Sequence, residues 1–600
     1  MISDYALIGD TRTAALCSSA GSIDWLCLPR MDSEPVFGRL LGGERAGCFS
    51  LAVEDVRATS RRYRSGSTIL ETTWQTESGV VVLTEGMVLD VSGRLLPQTL
   101  LVRRLECRGG SASVRIQFDP RRGLAGAPPK VDRRGGALLC HWGGLAVALQ
   151  TAPELDLLPG RASSLRLDDG AVVTLSLAVA DRAPLVFIDP PAAYELLGAS
   201  DGWWRRWSEG IVYAGPFRDA VLRSLITLRL LTYSPSGAPV AAPTTSLPES
   251  LGGSRNWDYR FSWPRDASIG LAAFLALGKT EEARSFLHWL LHASRLTRPR
   301  LEVLYTIHGQ PGPREIELFD VPGYMDSRPV RIGNAASRQH QLDVYGWVLD
   351  AAWLLARSGH SLEGETWRVI AGLADYVAAS WRAPDAGIWE VRGERAHYVH
   401  SKLMAWLGLD RAARIARGKR AHTERVRRWE SESAALAAEV RKRGFDEGTD
   451  SYVWAYGSTE LDAALLILPV LEFEEPNSVR LRATVAAVRR ELGAGGPLVY
   501  RYRPGIDGLE GTEGAFLPCS FWLAQALARL GKVEEAVGVF EDLLALANDV
   551  GLLPEEIEPS TGVHLGNFPQ AFTHATVVQA ALAIRDATSD SGKPPAAFRR

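Results

Sequence analysis

The apolar pattern of this 600-residue chain changes period once, near residue 200, and that change limits the folds open to it. Before it, short β-branched or alternating runs recur: Ser67 to Trp74, Gly79 to Thr84, Ser113 to Phe118 and Ala171 to Leu177. Turn residues such as Ser65-Gly66 and Arg108-Gly109-Gly110 punctuate them. Side chains that alternate across a strand bury one face of a sheet, so the spacing predicts an antiparallel β-sandwich over 1–195. After Pro216, apolar residues fall at three- and four-residue steps in twelve segments, from 217–233 to 570–584 and including 459–472. That period predicts helices. A length of this size predicts two to four domains. The period change reduces this to two, with 196–215 as a linker, a helical domain over 216–588 and a disordered tail over 589–600.

A local echo supports helix pairs. Leu277-Gly278-Lys279-Thr280-Glu281-Glu282-Ala283 resembles Leu530-Gly531-Lys532-Val533-Glu534-Glu535-Ala536. In each, glycine ends one helix and an acidic first turn opens the next, as C-cap and helix-dipole chemistry favour. Twelve helices in six such hairpins can close into an (α/α)6 barrel, although the echo does not by itself require closure.

Charge and cysteine usage exclude several classes. The 67 basic and 70 acidic residues leave a net charge of −3, so no basic field for nucleic acid or acidic lipid is expected. No stretch approaches the length needed to span a bilayer, and Ala463 to Phe473 is far too short. Met1 to Tyr5 lacks a basic run before an apolar core and does not read as a signal peptide. Six cysteines without a CxxC pair disfavour a thiolate metal site and suit a reducing compartment, so a cytoplasmic protein is expected. No metal and no cofactor are expected, and the oligomeric state, monomer or homo-oligomer, stays open.

Fifteen of the 18 tryptophans follow residue 200. They suit either core packing or a pocket for a flat ligand with polar edges, since indole offers a broad apolar face and one N–H donor. Three loops carry the chemistry that bears on this. Arg255 to Asp266 holds three Arg, two Asp and four aromatics just before a helix, with Pro264 suited to its first position. There Arg265 and Asp266 project either as a surface cap or as a fork that grips ligand hydroxyls. In Gly387 to Arg392, Glu390 stands beside Trp389 in an apolar stretch. Desolvation disfavours a charged carboxyl, which suits a proton donor. Pro554-Glu555-Glu556-Ile557-Glu558-Pro559 sets three acids between two prolines. A proton donor in one loop and a carboxylate in another suit glycoside hydrolysis, inverting or retaining.

These residues resemble glycoside hydrolase family 15, the glucoamylases and the bacterial and archaeal trehalases. The likeness covers nearly the whole chain. It rests on Tyr5 to Asp10, Gly21 to Cys27, Ala242 to Glu249, Arg255 to Arg260, Ile388-Trp389-Glu390, Cys519 to Trp522 and Gly566 to Gln570. It implies an N-terminal antiparallel β-sandwich followed by an (α/α)6 barrel. It also implies an inverting, exo-acting hydrolase that releases β-glucose from a small α-glucoside. By the same resemblance Glu390 is the general acid and Glu555 the general base. By it, too, Arg265 and Asp266 hold hydroxyls of the innermost glucose, Tyr259, Trp263 and Trp389 line its subsite, and Glu556 is a further substrate-binding residue. Pro264 replaces a usual leucine and Glu558 a usual aspartate. Trehalose is the favoured substrate, ahead of maltooligosaccharides and isomaltose-type α-1,6-glucosides. An inverting disaccharide phosphorylase and a non-catalytic sugar-binding relative are the other classes open.

Overall fold

The computed structural model describes residues 1–89, 99–418, 424–476 and 478–589. An N-terminal antiparallel β-sheet region is followed by a largely helical region. One sheet runs Tyr5–Gly9, Ala14–Ser18, Ser22–Cys27, Cys48–Val53, Ala112–Asp119, Ala162–Leu167, with Pro35–Phe37 beside Ser22–Cys27. The other runs Lys130–Arg134, Ala137–Trp142, Leu145–Ala152, Val172–Asp181, Thr99–Arg108, Val80–Met87, Leu70–Gln75, Ala58–Tyr63. Strand Leu70–Gln75 alternates buried and less buried residues, as a sheet with one covered face requires. Arg103, fully buried in the second sheet, donates to Glu85 Oε2 (2.8 Å) and crosses to the carbonyls of Phe49 (2.6 Å) and Gly21 (2.8 Å) in and beside the first.

Residues 196–209 of the segment expected as a linker belong to a 20-residue helix, Pro190–Glu209, and only 210–215 remain as a connection. The start of the helix carries two prolines, which need no N–H there. Its buried stripe is Ala193, Leu197, Ser200, Asp201, Trp204 and Ser208, at helical steps. Half of that stripe is polar, which hides it from a search for apolar periodicity. Ala193 and Leu197 pack with Ile69, Val88, Leu100 and Val102 on the second sheet. Trp203, Trp204 and Trp207 lie on this helix and do not line the cleft described below; Trp207 Nε1 donates to Glu282 of the helical region (2.6 Å).

Eleven of the twelve expected helical segments contain a helix close to the expected bounds. The exception is 459–472. There the Asp462 side chain accepts from Ala464 N and starts a 3-10 helix, Ala463–Ile467, followed by the single turn Leu468–Leu471. Pro469 has no N–H to donate and interrupts a regular α-helix. The echoed turns are alike in structure too. Gly278 and Gly531 sit at φ +82° and +78°, and Lys279 N and Lys532 N both return to a carbonyl five residues back (2.9 Å each), a Schellman closure. Ser589 ends the last helix; the rest of the segment expected to be disordered, 590–600, lies outside the described residues.

Helices Pro264–Ala276, Asp343–Arg357 and Val399–Gly418 pack in succession, and Ala571–Ser589 packs between Pro264–Ala276 and Leu517–Arg529. The long loops that enter their N-terminal ends meet at one end of this group. The β region braces one of them: Trp25 Nε1 donates to Pro243 O (2.8 Å), Arg260 Nη1 to Ser33 O (2.8 Å), and Ser234 N to Thr11 O (2.8 Å). All six cysteines are buried and free. Among the described residues no helix is long and apolar enough to cross a membrane.

Candidate active site

The first wall of the site is built by the loop before helix Pro264–Ala276. Strands Thr245–Pro248 and Asn256–Asp258 pair, and buried Asp258 then takes Arg260 through two bonds of 2.8 Å. Pro264 occupies the first helical position directly after Trp263, so Arg265 and Asp266 emerge in the first turn. Both are buried, which rules out a surface cap. Arg265 Nε donates to Asp266 Oδ1 (2.7 Å) and Nη1 to Ile388 O (2.8 Å), while Nη2 lies 3.8 Å from Glu390 Oε1.

Glu390 comes from the loop before helix Val399–Gly418. Its backbone is left-handed, φ +60°, a conformation that persists only when its surroundings impose it. They do so here from both sides. Gln339 Nε2 donates to the carbonyls of Glu390 and Val391 (3.1 Å each), and Arg392 N donates to Asp507 O (3.0 Å). The carboxyl accepts the indole N–H of Trp263 (2.8 Å). Its surroundings are therefore more polar than the flanking sequence suggests.

Glu555 leads into a small sheet of Ala515–Phe516, Glu556–Ile557 and His564–Leu565. It is buried, and it accepts Tyr259 Oη–H (2.6 Å) and Asn567 N–H (3.2 Å). Asn567 in turn donates to Trp257 O (2.8 Å) and Thr244 Oγ1 donates to Asn567 Oδ1 (2.9 Å), so three motifs far apart in sequence meet at one carboxyl. Burial, then repulsion from Glu249, pushes the Glu555 carboxyl up to about 8 against the pull of Arg501, Tyr259 and Asn567. Gly566 stands at φ +72°, and a Cβ there would lie 2.4 Å from Glu555 Oε2. Gly566→Ala is expected to displace this carboxyl and lower kcat roughly 100-fold, the order expected for a catalytic group moved by about 1 Å. Steady-state kinetics on a variant with unchanged circular dichroism checks this.

The expected aromatics line the same cleft: Tyr259 and Trp263 meet edge to face at 5.5 Å, and Trp389 packs edge to face on Phe516 at 5.5 Å, its N–H donated to Asp462 Oδ1 (2.8 Å). Glu556 does not line it. Adjacent strand residues point to opposite faces, so Glu556 turns away from the cleft. It accepts Gly514 N–H (2.8 Å) and lies 3.1 Å from Arg501 Nη2. Its contact with a sugar, expected from the sequence, is replaced by a part in holding Arg501.

Arg501 is one of several functional side chains that sequence reasoning passed over. Its Nη2 lies 2.6 Å from Glu513, 3.2 Å from Glu249 and 3.1 Å from Glu556, and the guanidinium lies over Phe516 at 4.9 Å. Arg255 takes Asp507 in two bonds (2.7 and 3.1 Å) and Glu513 at 3.0 Å. Oxygens of Glu249, Glu555 and Glu556 fall within 4.8 Å of one another, a spacing a cation could use, but these two arginines already supply the counter-charge. Arg255 and Glu249 lie in segments already singled out, Arg255 to Asp266 and Ala242 to Glu249, whereas Arg501 lies in neither. Asp462 carried no such mark, since it fell inside an expected helix. Buried Asp343, at the start of helix Asp343–Arg357, is pushed up to about 7 by burial, with Arg265 opposing.

The family model described as glycosyl hydrolases family 15 matches residues 215–582, more than half of the chain. The chain belongs to this family. A trehalase-like N-terminal model matches residues 1–155. A trehalase of Mycolicibacterium smegmatis is 38% identical over 97% of this chain and 91% of its own length. A trehalase of Thermoplasma volcanium is 32% identical over 97% and 93%. In fold, a bacterial glucoamylase solved in complex with acarbose superposes with a TM-score of 0.71 at 13% identity, covering 97% of this chain and 95% of the other. This family 15 member is an inverting, exo-acting glucosidase of the trehalase and glucoamylase type that acts on α-glucosides.

Proposed function

We propose that the protein hydrolyses α,α-trehalose, with Glu390 protonating the glycosidic oxygen and Glu555 deprotonating the attacking water. The observation that carries the two roles is that these carboxyls, from separate loops, line one cleft with the Arg265–Asp266 fork between aromatic walls. Glu390 is in reach of N–H donors that hold it in place, and Glu555 accepts from Tyr259 and Asn567, which orient its oxygens. Arg265, Asp266, Tyr259, Trp263 and Trp389 then bind the glucose that is released first. Trehalose is favoured because the similar proteins reported above, matched over nearly their full lengths, are trehalases. The succession of helices around the site supports an (α/α)6 barrel, and the crossing contacts of Arg103 support a β-sandwich.

The test is a panel of trehalose, maltose, isomaltose and soluble starch, followed by anomer-resolved NMR. Trehalose is expected to be cleaved fastest. Inversion at the attacked carbon should yield one β-glucose for each α-glucose before mutarotation. Faster cleavage of maltose or isomaltose would reject the substrate, and α-glucose alone would reject Glu555 as the base.

A further inference from the structure

The cleft has a buried inner end and a half-buried rim. Trp263, Arg265, Asp266, Glu555 and Phe572 are buried, whereas Trp257, Arg392 and Leu509 are only partly so, next to the exposed residues 393–395 and 510–512. An exo-acting enzyme takes its terminal glucose at the inner end, so the sugar that leaves must lie at the rim, beyond Glu390.

Arg392 is held there in an uncommon state. Its backbone is fixed by the bond from its N–H to Asp507 O, two residues after Glu390, whose own carbonyl is pinned by Gln339. Its guanidinium carbon lies 5.3 Å from the centroid of the Trp257 ring, within cation–π range. The ring is a fixed platform: Trp257 Nε1 donates to Glu249 (3.1 Å), and its carbonyl accepts from Asn567. Arg331 also lies against it, at 4.6 Å, but Arg331 is tied to Glu317 (2.9 Å) and Ser254 O (2.7 Å). Arg392 has no such tie: among the described residues no carboxylate or carbonyl takes its guanidinium. Asp507, whose carbonyl holds the Arg392 N–H, has its carboxylate taken by Arg255, Tyr502 Oη–H and Leu509 N–H. A planar set of N–H donors placed over an indole, with no acceptor of its own among the described residues, is suited to adjacent hydroxyls on a ring.

We propose that Arg392, braced on Trp257, is the residue that recognises the hydroxyls of the leaving glucose unit and so makes the site selective for α-glucosides with a second sugar. This rests on the reading of Glu390 as the acid that faces that sugar. The test compares Arg392→Ala with the unchanged chain on two substrates: the disaccharide that the unchanged chain cleaves fastest, and α-glucosyl fluoride, which has no second sugar. KM for the disaccharide is expected to rise about 10- to 100-fold, the worth of hydrogen bonds from a charged donor, while kcat/KM for the fluoride stays close to that of the unchanged chain. The fluoride also reports folding, and Arg392→Gln provides a second variant should the alanine form fail to fold. Parallel loss on both substrates, or an unchanged KM for the disaccharide, overturns the proposal. A wrong choice of disaccharide, or a wrong acid, registers in the unchanged chain or in Glu390 variants and not in the contrast between these two substrates.

Discussion

Glu390→Gln is expected to lower kcat for a disaccharide by about 100- to 10,000-fold, the range that positioned proton transfer contributes, and to spare α-glucosyl fluoride largely. The reason is the leaving group. A sugar alkoxide is expelled slowly unless its oxygen is protonated as the bond breaks, whereas fluoride departs as an anion. Glutamine keeps the size of the side chain and can still meet the Trp263 N–H through its carbonyl oxygen, so the wall of the cleft is retained. Paired kinetics on the two substrates decide the role: equal losses on both would mean that Glu390 shapes the site and does not donate the proton.

Glu555→Gln should behave in the opposite way on the same pair, losing about 100- to 10,000-fold on the disaccharide and on the fluoride alike, because water must be activated whichever group leaves. Stability provides a second readout. The carboxyl is ordinarily half-ionised near 4.5, and in the fold it is pushed up to about 8. Between these values the folded chain holds a proton that the unfolded chain has released. Glu555 serves as the base only in the fraction of molecules that have lost it, so kcat should rise with pH toward about 8. For the same reason the contribution of the carboxyl to stability is full below about 4.5 and declines as pH rises to about 8, by at most about 1.4 kcal/mol per pH unit for one proton. Removing the group removes that slope. The melting temperature of Glu555→Gln should exceed that of the unchanged chain at pH 8 and approach it at pH 5. Thermal unfolding at both pH values checks the sign, and a variant that is less stable at pH 8 would contradict the burial of an unfavourable charge.

The two catalytic candidates were legible in the sequence for different reasons. Glu390 was marked by its place beside Trp389, and Glu555 by its place after Pro554, but neither segment states which way its acid points. For Glu555-Glu556 this mattered. Two adjacent acids looked alike in the chain, and only the pairing of Glu556–Ile557 between two strands turned one into the cleft and the other onto Arg501. The helix Pro190–Glu209 was missed because its buried stripe mixes Ser200, Asp201 and Ser208 with apolar residues, and a periodicity read from hydrophobicity does not register them.

What the sequence determined by itself is local. A period of two against a period of 3.6, a proline at the first turn of a helix, and glycines that close helices all act within a few residues, through sterics and hydrogen bonds of the nearby backbone. It therefore carried the order of the β and helical regions and most helix positions. The tertiary structure decided what depends on residues hundreds of positions apart. The left-handed backbone of Glu390 is held by Gln339 and Asp507, the Glu555 carboxyl is raised by burial and by Glu249 against the pull of Arg501, and Arg392 meets the Trp257 ring from a separate loop. Such properties are sums over neighbours in space, through burial and Coulomb interactions, and exist only once packing has chosen those neighbours.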